Sequence, residues 1–136
     1  MRRTDQRRAA VFALYQHDLT GQPLAEMLPR DSLAFTRALA EATIKHQDEI
    51  DELIKQHSTG WTLDRIAPLE RSILRVALLE MLHGDEIPGE TPIPAEGAID
   101  EAVETAKKFC GSDAPGFVNG ILGAVLDSVR DNSIPT

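Results

Sequence analysis

Apolar residues recur every three or four positions over most of the chain, and short segments rich in glycine and proline interrupt this pattern. Such a spacing places the apolar side chains on one face of a helix. It predicts helices over about residues 4–19, 31–57, 68–83, 98–109 and 117–129. No segment shows the strict alternation of apolar and polar residues that is typical of a strand. We therefore expect an all-α fold.

A loop with three prolines and two glycines, at residues 84–94, divides the predicted helices. We expect one compact domain over residues 1–136, built from two small helical bundles. The first bundle covers about residues 4–60, and the second covers about residues 61–130 and includes the loop. The helix at 68–83 is apolar around most of its circumference, which is typical of a helix buried on several sides.

Several residues predict where helices begin, weaken or end. Gly21 is expected to end the first helix. Asp31 and Ser32 offer an N-cap for the long helix that follows. Within that long helix, Thr43 and His46 are expected to weaken the middle without ending it.

Composition and charge narrow the function classes. With 42% hydrophobic and 26% charged residues the chain can build a core. Its net charge of −8 excludes a protein that binds nucleic acid through its whole surface, so any such binding must be local. The single cysteine, Cys110, cannot form an internal disulfide. No apolar stretch approaches the length that spans a bilayer, and no signal sequence is seen, so we expect a cytoplasmic protein that does not bind membranes.

No catalytic or cofactor-binding motif occurs in the sequence. Phosphate-binding loops, nucleophile elbows and zinc-protease motifs are all missing. The four histidines are not paired at the spacing typical of metal ligands. We therefore predict a protein that is not an enzyme, without catalytic residues, metal or cofactor.

The amino terminus has the opposite charge to the rest of the chain. Residues 1–8 hold four arginines and one acidic residue, Asp5. Arg7 and Arg8 fall near the positive end of the first helix dipole, where an exposed cation costs about 0.3–1 kcal/mol. Two interpretations stay open: the arginines increase solubility, or they bind a phosphate group.

The last predicted helix contains unusual residues. Gly120 and Gly123 interrupt it, at about 1 kcal/mol per glycine relative to alanine. Close approach of another helix is the favoured explanation, and close approach of a ligand is the alternative. Trp61 is interpreted as a core residue in preference to a base-stacking one.

Six motifs, in order, resemble the NusB family of bacterial transcription antitermination factors over nearly the whole chain. They are RTDQR at residues 3–7, ALY at 13–15, GWTLDRI at 60–66, ERSILRVA at 70–77, IDEAVETAKKF at 99–109 and GFVNGIL at 116–122.

The resemblance implies an all-helical, non-catalytic protein that binds boxA-type single-stranded RNA. It would do so with NusE, a ribosomal protein of the small subunit, and join the elongating RNA polymerase with other Nus factors to support transcription of ribosomal RNA operons. Some relatives form homodimers. By likeness to the family, the implied RNA-binding residues are Arg3, Arg7, Tyr15, Asp113, Phe117 and Asn119. The implied contacts with NusE are Glu70, Arg75, Leu79 and Glu80.

An alternative function follows from the acidic surface. The chain would then be a helical adaptor that retains the protein partner and has lost contact with RNA. Substitution of the amino-terminal arginines distinguishes the two hypotheses, because only the RNA-binding protein needs them.

Overall fold

The computed structural model describes residues 2–88 and 91–131. Across these ranges the chain is helical and contains no strand, which confirms the expected all-α class. The α-helices are α1 (Arg3–Thr20), α2 (Leu24–Met27), α3 (Ala34–Lys45), α4 (Gln47–His57), α5 (Pro68–His83), α6 (Ala95–Phe109) and α7 (Ala114–Asp131). Short 3₁₀ turns lie at Leu63–Arg65 and Gly84–Glu86. Among the helices so described, none is long and apolar enough to cross a membrane.

Helix α5 lies at the centre of the molecule. It begins with Pro68, whose fixed φ suits the first helical position and whose missing N–H costs nothing there. Every residue from Ser72 to Glu80 is buried. The helix contacts α1, α3, α4, α6 and α7, so all its faces are covered. This confirms the prediction made from its apolar circumference.

The remaining helices pack around α5 in two groups. In the first group, α1 contacts α2 and α3. In the second, α6 and α7 contact each other, and α4 contacts α7. Helix α4 therefore packs with the carboxy-terminal helix α7 as well as with α5. Both groups contribute to a single cluster of buried apolar side chains.

The prediction of one long helix over residues 31–57 is wrong, because the structure has two helices there, α3 and α4. The chain leaves helical geometry at His46, with φ −102° and ψ 14°. Helix α3 packs on α1 whereas α4 packs on α7, so the chain must change direction between them. The Thr43 hydroxyl donates a hydrogen bond to the Leu39 carbonyl at 2.7 Å, a type of bond that often bends helices.

The predicted helix ends are partly confirmed. Gly21 ends α1 in the left-handed conformation at φ 71°, and its N–H donates to the His17 carbonyl at 2.9 Å. The predicted cap at Asp31 and Ser32 is wrong. The N-cap of α3 is Leu33, without a side-chain hydrogen bond, because packing of α3 on α1 sets where that helix begins.

Candidate nucleic-acid interface

The first half of α1 runs alongside α6 in the same direction. At the start of α1 and near the middle of α6, the Thr4 hydroxyl donates to Glu101 Oε1 at 2.6 Å. Two turns later the ring of Phe12 meets the ring of Phe109 edge-on, with centroids 5.0 Å apart. The contacts advance along both helices together. The middle of α1 therefore lies beside the turn that leads from α6 into α7.

An exposed aromatic ring stands between two cations where these helices meet. Phe109 keeps 40% of its surface exposed. The Arg8 guanidinium and the Lys108 ammonium each lie 5.6 Å from the centre of its ring. The Arg8 Nε also donates to the Thr105 hydroxyl at 3.3 Å, which fixes its direction. An open ring flanked by positive charge is the arrangement with which proteins stack and neutralise a single-stranded nucleic acid.

Tyr15 extends this surface along α1. Arg8, Phe12 and Tyr15 follow one another at helical spacings of four and three residues, so they share one stripe of the helix. Tyr15 is half-buried. We call Arg8, Phe12, Tyr15, Lys108 and Phe109 the basic–aromatic face.

Arg3 lies at the amino-terminal end of α1, one to two turns before Arg8. Its guanidinium stands 4.3 Å from the centre of the Phe35 ring, and its Nη1 donates to the Gln6 side chain at 2.9 Å. The residue is exposed. Its charge therefore faces solvent at the end of the same helix.

Arg7 lies in a different environment from its neighbours. Its Nε donates to both carboxylate oxygens of Glu80, at 2.8 and 3.0 Å, and its Nη1 lies 3.5 Å from Glu101 Oε1. Only 14% of its side chain is exposed. Burial raises the pKa of the Glu80 carboxyl, and the hydrogen bond from Arg7 acts against that rise. The ion pair explains an arginine that the helix dipole alone disfavours, and it leaves little of the Arg7 charge for a phosphate.

The turn before α7 and the first turns of that helix carry the other residues implied to bind RNA. Asp113 and Asn119 are exposed, and Phe117 is half-buried. The interpretation of Trp61 as a core residue is wrong, since 52% of it is exposed. Its ring packs edge-on against Phe117 with centroids 6.2 Å apart. Short polar loops on either side leave the indole without further cover, so it forms an exposed aromatic pair with Phe117.

The glycines of α7 are not explained by close packing of helices. A Cβ added to Gly120 or Gly123 would meet no atom within 4 Å, apart from the helix's own nearby backbone. The favoured explanation is therefore wrong, because no described residue of another helix lies within 4 Å of a Cβ at these positions. Gly120 instead lines a shallow groove of about 260 Å³ with Trp61 and Phe117. Approach of a ligand stays open.

Three of the four residues implied to contact the protein partner point into the molecule. Leu79 is fully buried. Arg75 donates to both oxygens of Asp51, at 2.8 and 3.0 Å, and Glu80 holds Arg7. These side chains offer a partner almost no surface. Glu70 is the accessible one of the four, and it lines a groove of about 130 Å³ with Asp113, Phe117 and Trp61.

A larger open groove lies between α5 and the segment at residues 61–64. Its volume is about 680 Å³, and Trp61, Leu63 and Arg71 contribute to its walls. At its rim the side-chain hydrogen bond with Thr62 lowers the pKa of the Asp64 carboxyl. This groove and that of Glu70 share Trp61.

Lys108 and Phe109 of this candidate interface could not be singled out from the sequence, and Arg8 stayed open between solubility and phosphate binding. The spacing of Phe109 fits the apolar stripe of the helix predicted over residues 98–109. Its position as the last residue of the helix was the available signal, since a terminal turn is often left uncovered. Arg8 could not be distinguished from Arg7 without knowing where Glu80 lies.

The fold and these surfaces define a small helical binding module, in which the basic–aromatic face is the candidate nucleic-acid interface and an open groove offers a second binding surface. The chain belongs to the NusB family, since the model of that family matches residues 4–127. It is 32% identical to the transcription antitermination protein NusB of Dehalococcoides mccartyi (strain CBDB1), over 93% of this chain and 91% of that protein.

Solved structures show the same fold. NusB of T. maritima has a TM-score of 0.79 and 28% identity, over 92% of this chain and 90% of that chain. A crystal structure of the antitermination factors NusB and NusE in complex with dsRNA matches with a TM-score of 0.77 and 26% identity. That match covers 93% of this chain and 96% of that one.

Proposed function

We propose that this protein is a transcription antitermination factor that binds boxA-type RNA jointly with a NusE-like ribosomal protein. In this role it supports processive transcription of ribosomal RNA operons. The observation that carries the proposal is the exposed Phe109 ring between Arg8 and Lys108. Family membership supports it, as does the relative that forms a complex with NusE and dsRNA.

The RNA would lie across the basic–aromatic face and continue over the turn into α7. A base stacks on Phe109, and phosphates meet Arg8, Lys108 and Arg3. The exposed side chains of Asp113 and Asn119 offer polar contacts to bases and sugars, and Tyr15 and Phe117 offer ring surface. Arg7 contributes indirectly, because its ion pair with Glu80 holds α1 against α5 and α6.

The number of cations explains why a partner is needed. Three phosphate contacts on a single strand give a salt slope of only about −2, at roughly 0.7 per contact. The net charge of −8 on the chain adds a repulsive background. Binding by this protein alone is therefore weak, and a basic partner docked beside the face supplies the missing positive charge.

The partner would dock on the two grooves that meet at Trp61. Their rims carry the carboxylates of Asp64 and Glu70, which complement a basic protein. Trp61, with its exposed indole, is suited to be the aromatic anchor of such an interface. Arg75, Leu79 and Glu80 support the docking surface from inside α5.

A titration of labelled boxA-type RNA, with and without purified NusE, tests this function. We expect the partner to increase the affinity at least tenfold. Equal affinity with and without NusE would refute joint binding.

Two charge substitutions make the test specific. Arg8→Ala should weaken the ternary complex and reduce the magnitude of its salt slope by about 0.7. Arg130→Ala is the matched control. Arg130 is an exposed cation near the carboxy-terminal end of α7, where it pairs with Glu96 of α6. If Arg8→Ala leaves RNA binding by the ternary complex unchanged while NusE still binds, the RNA does not contact this face, and the protein-binding adaptor becomes the favoured function.

The cellular setting follows from the same proposal. The complex of protein, NusE and RNA would join elongating RNA polymerase and other Nus factors in the cytoplasm and would catalyse no reaction. A homodimer that covers the basic–aromatic face would be an inactive storage form. Dilution of the protein in the RNA titration would then increase the fraction that binds.

A further inference from the structure

Two histidines that are far apart in sequence stack against each other at the surface. His46 lies at the junction of α3 and α4, and His83 is the last residue of α5. Their ring centroids are 3.9 Å apart and the ring planes differ by 11°. The two side chains are 19% and 24% exposed, so they are sheltered but open to solvent.

Each histidine is followed three residues later by a glutamate, and the glutamates cross to the opposite ring. Glu49 Oε1 lies 2.6 Å from His83 Nε2, and Glu86 Oε2 lies 2.8 Å from His46 Nε2, both at hydrogen-bond distance. The second nitrogen of each ring faces the glutamate of its own segment, at 3.7 Å for His46 and 3.4 Å for His83. Two His-x-x-Glu segments therefore interlock as a reciprocal group of four side chains.

We propose that His46, Glu49 and His83 form a binding site for a divalent transition-metal ion, with zinc as the best fit. Their ligand atoms all lie within 4.8 Å of one another. A tetrahedral zinc site with bonds of about 2.0–2.1 Å needs ligands about 3.4 Å apart, so small side-chain rotations close the set. Glu86 faces the other nitrogen of each ring, where it orients the rings, and water takes the fourth position.

The donor chemistry selects the metal. Two imidazole nitrogens and one carboxylate oxygen suit zinc and its neighbours in the first transition row. Magnesium and calcium prefer oxygen donors alone. The Glu49 carboxylate together with the neighbouring Glu86 carboxylate balances the charge of a divalent ion.

Metal binding at this position would tie together parts of the fold that the chain connects only at a distance. His46 and Glu49 lie at the α3–α4 junction and in the first turn of α4, and His83 is the last residue of α5. The site uses no residue of the basic–aromatic face or of the docking grooves, so it does not depend on the proposed function. Its expected effect is to stabilise the folded chain.

Calorimetric titration of tag-free protein with zinc, followed by thermal unfolding with and without the ion, tests the site. We expect one ion per chain. At a hundredfold excess over the dissociation constant the unfolding temperature should rise by about 5–10 °C. Magnesium at the same concentration should produce no such shift.

Substitutions assign the ligands. His83→Ala and Glu49→Gln should each weaken zinc binding at least tenfold, and the 53% exposed Glu49 side chain makes its variant safe for folding. His17→Ala is the matched control, because His17 lies on α1 and its ring bonds to the Gln22 carbonyl. Absence of zinc binding in the unchanged protein overturns the proposal. So does binding that survives both ligand substitutions, or that is lost equally in the control.

Discussion

Arg7 and Arg8 are adjacent in the sequence but belong to two different regions of the molecule. Arg7 points towards α5, where its ion pair with Glu80 is largely shielded from water. Arg8 points towards the end of α6, where it stands over the exposed ring of Phe109. The same chemical group is thus a structural element at one position and a candidate ligand for RNA at the next.

The difference shows that burial, and not residue type, decides what a charged side chain does. The Glu80 carboxylate that pairs with Arg7 is buried and desolvated, so the ion pair cannot be separated without leaving a buried charge. Among the described residues Arg8 meets a hydroxyl and a ring and no carboxylate, so a phosphate can still approach it. This contrast predicts opposite results for substitutions at neighbouring positions.

The largest effect on stability is expected at Arg7. Arg7→Ala should lower the free energy of unfolding by about 2–3 kcal/mol, because it leaves Glu80 charged in a buried position. Arg8→Ala should cost less than about 1 kcal/mol. Urea unfolding followed by circular dichroism measures both. The double variant Arg7→Ala with Glu80→Gln should recover part of the loss, and equal costs for the two single variants would contradict the assignment.

The next effect concerns RNA and not stability. Phe109→Ala should weaken RNA binding in the presence of NusE by about tenfold or more, since stacking on an aromatic ring contributes about 1–3 kcal/mol per base. Leu33→Ala removes another exposed apolar side chain, which lies on neither α1 nor α6, and should change RNA affinity little. Fluorescence anisotropy with labelled RNA distinguishes them. Similar losses in both variants would mean that Phe109 is not a stacking platform.

A smaller effect of opposite sign is expected at Gly120. Gly120→Ala should stabilise the protein by about 0.5–1 kcal/mol, because the position is helical and a Cβ there has open space. If a ligand approaches this face of α7, the same variant should bind RNA or NusE less tightly. Thermal unfolding measures the change in stability, and titration of the complex with RNA and NusE measures the change in affinity. A stabilised variant with unchanged binding would show that the glycine serves no ligand at this site.

The smallest effect concerns the thiol of Cys110, which lies between α6 and α7. Burial raises its pKa, and the charge of Glu70 raises it further. A higher pKa means that less of the thiol is ionised to thiolate at a given pH. Alkylation of Cys110 by iodoacetamide at pH 8 should therefore be slower than alkylation of a cysteine in a short unstructured peptide. Glu70→Gln removes the smaller cause and should increase the rate by roughly twofold. An unchanged rate profile would place Glu70 too far from the thiol to act on it.

Much of the fold could be predicted from the sequence, because helical periodicity is a local property. The all-α class, the burial of α5 from Ser72 to Glu80 and the end of α1 at Gly21 all follow from residues within a few turns of one another. The two predictions that failed for the long second helix, its continuity through His46 and its start at Asp31 and Ser32, depend on how α3 and α4 pack against other helices.

The candidate sites depended much more on tertiary structure. The sequence alone determined that arginines cluster at the amino terminus and that the rest of the chain is acidic. Only the packing of α1 between α5 and α6 decided that Glu80 neutralises Arg7 and that Arg8 stays available. His46 and His83 likewise meet only because the end of α5 reaches the α3–α4 junction. Ion pairs, ring contacts and ligand sets form between side chains that are close in space, and separation along the chain does not determine that distance.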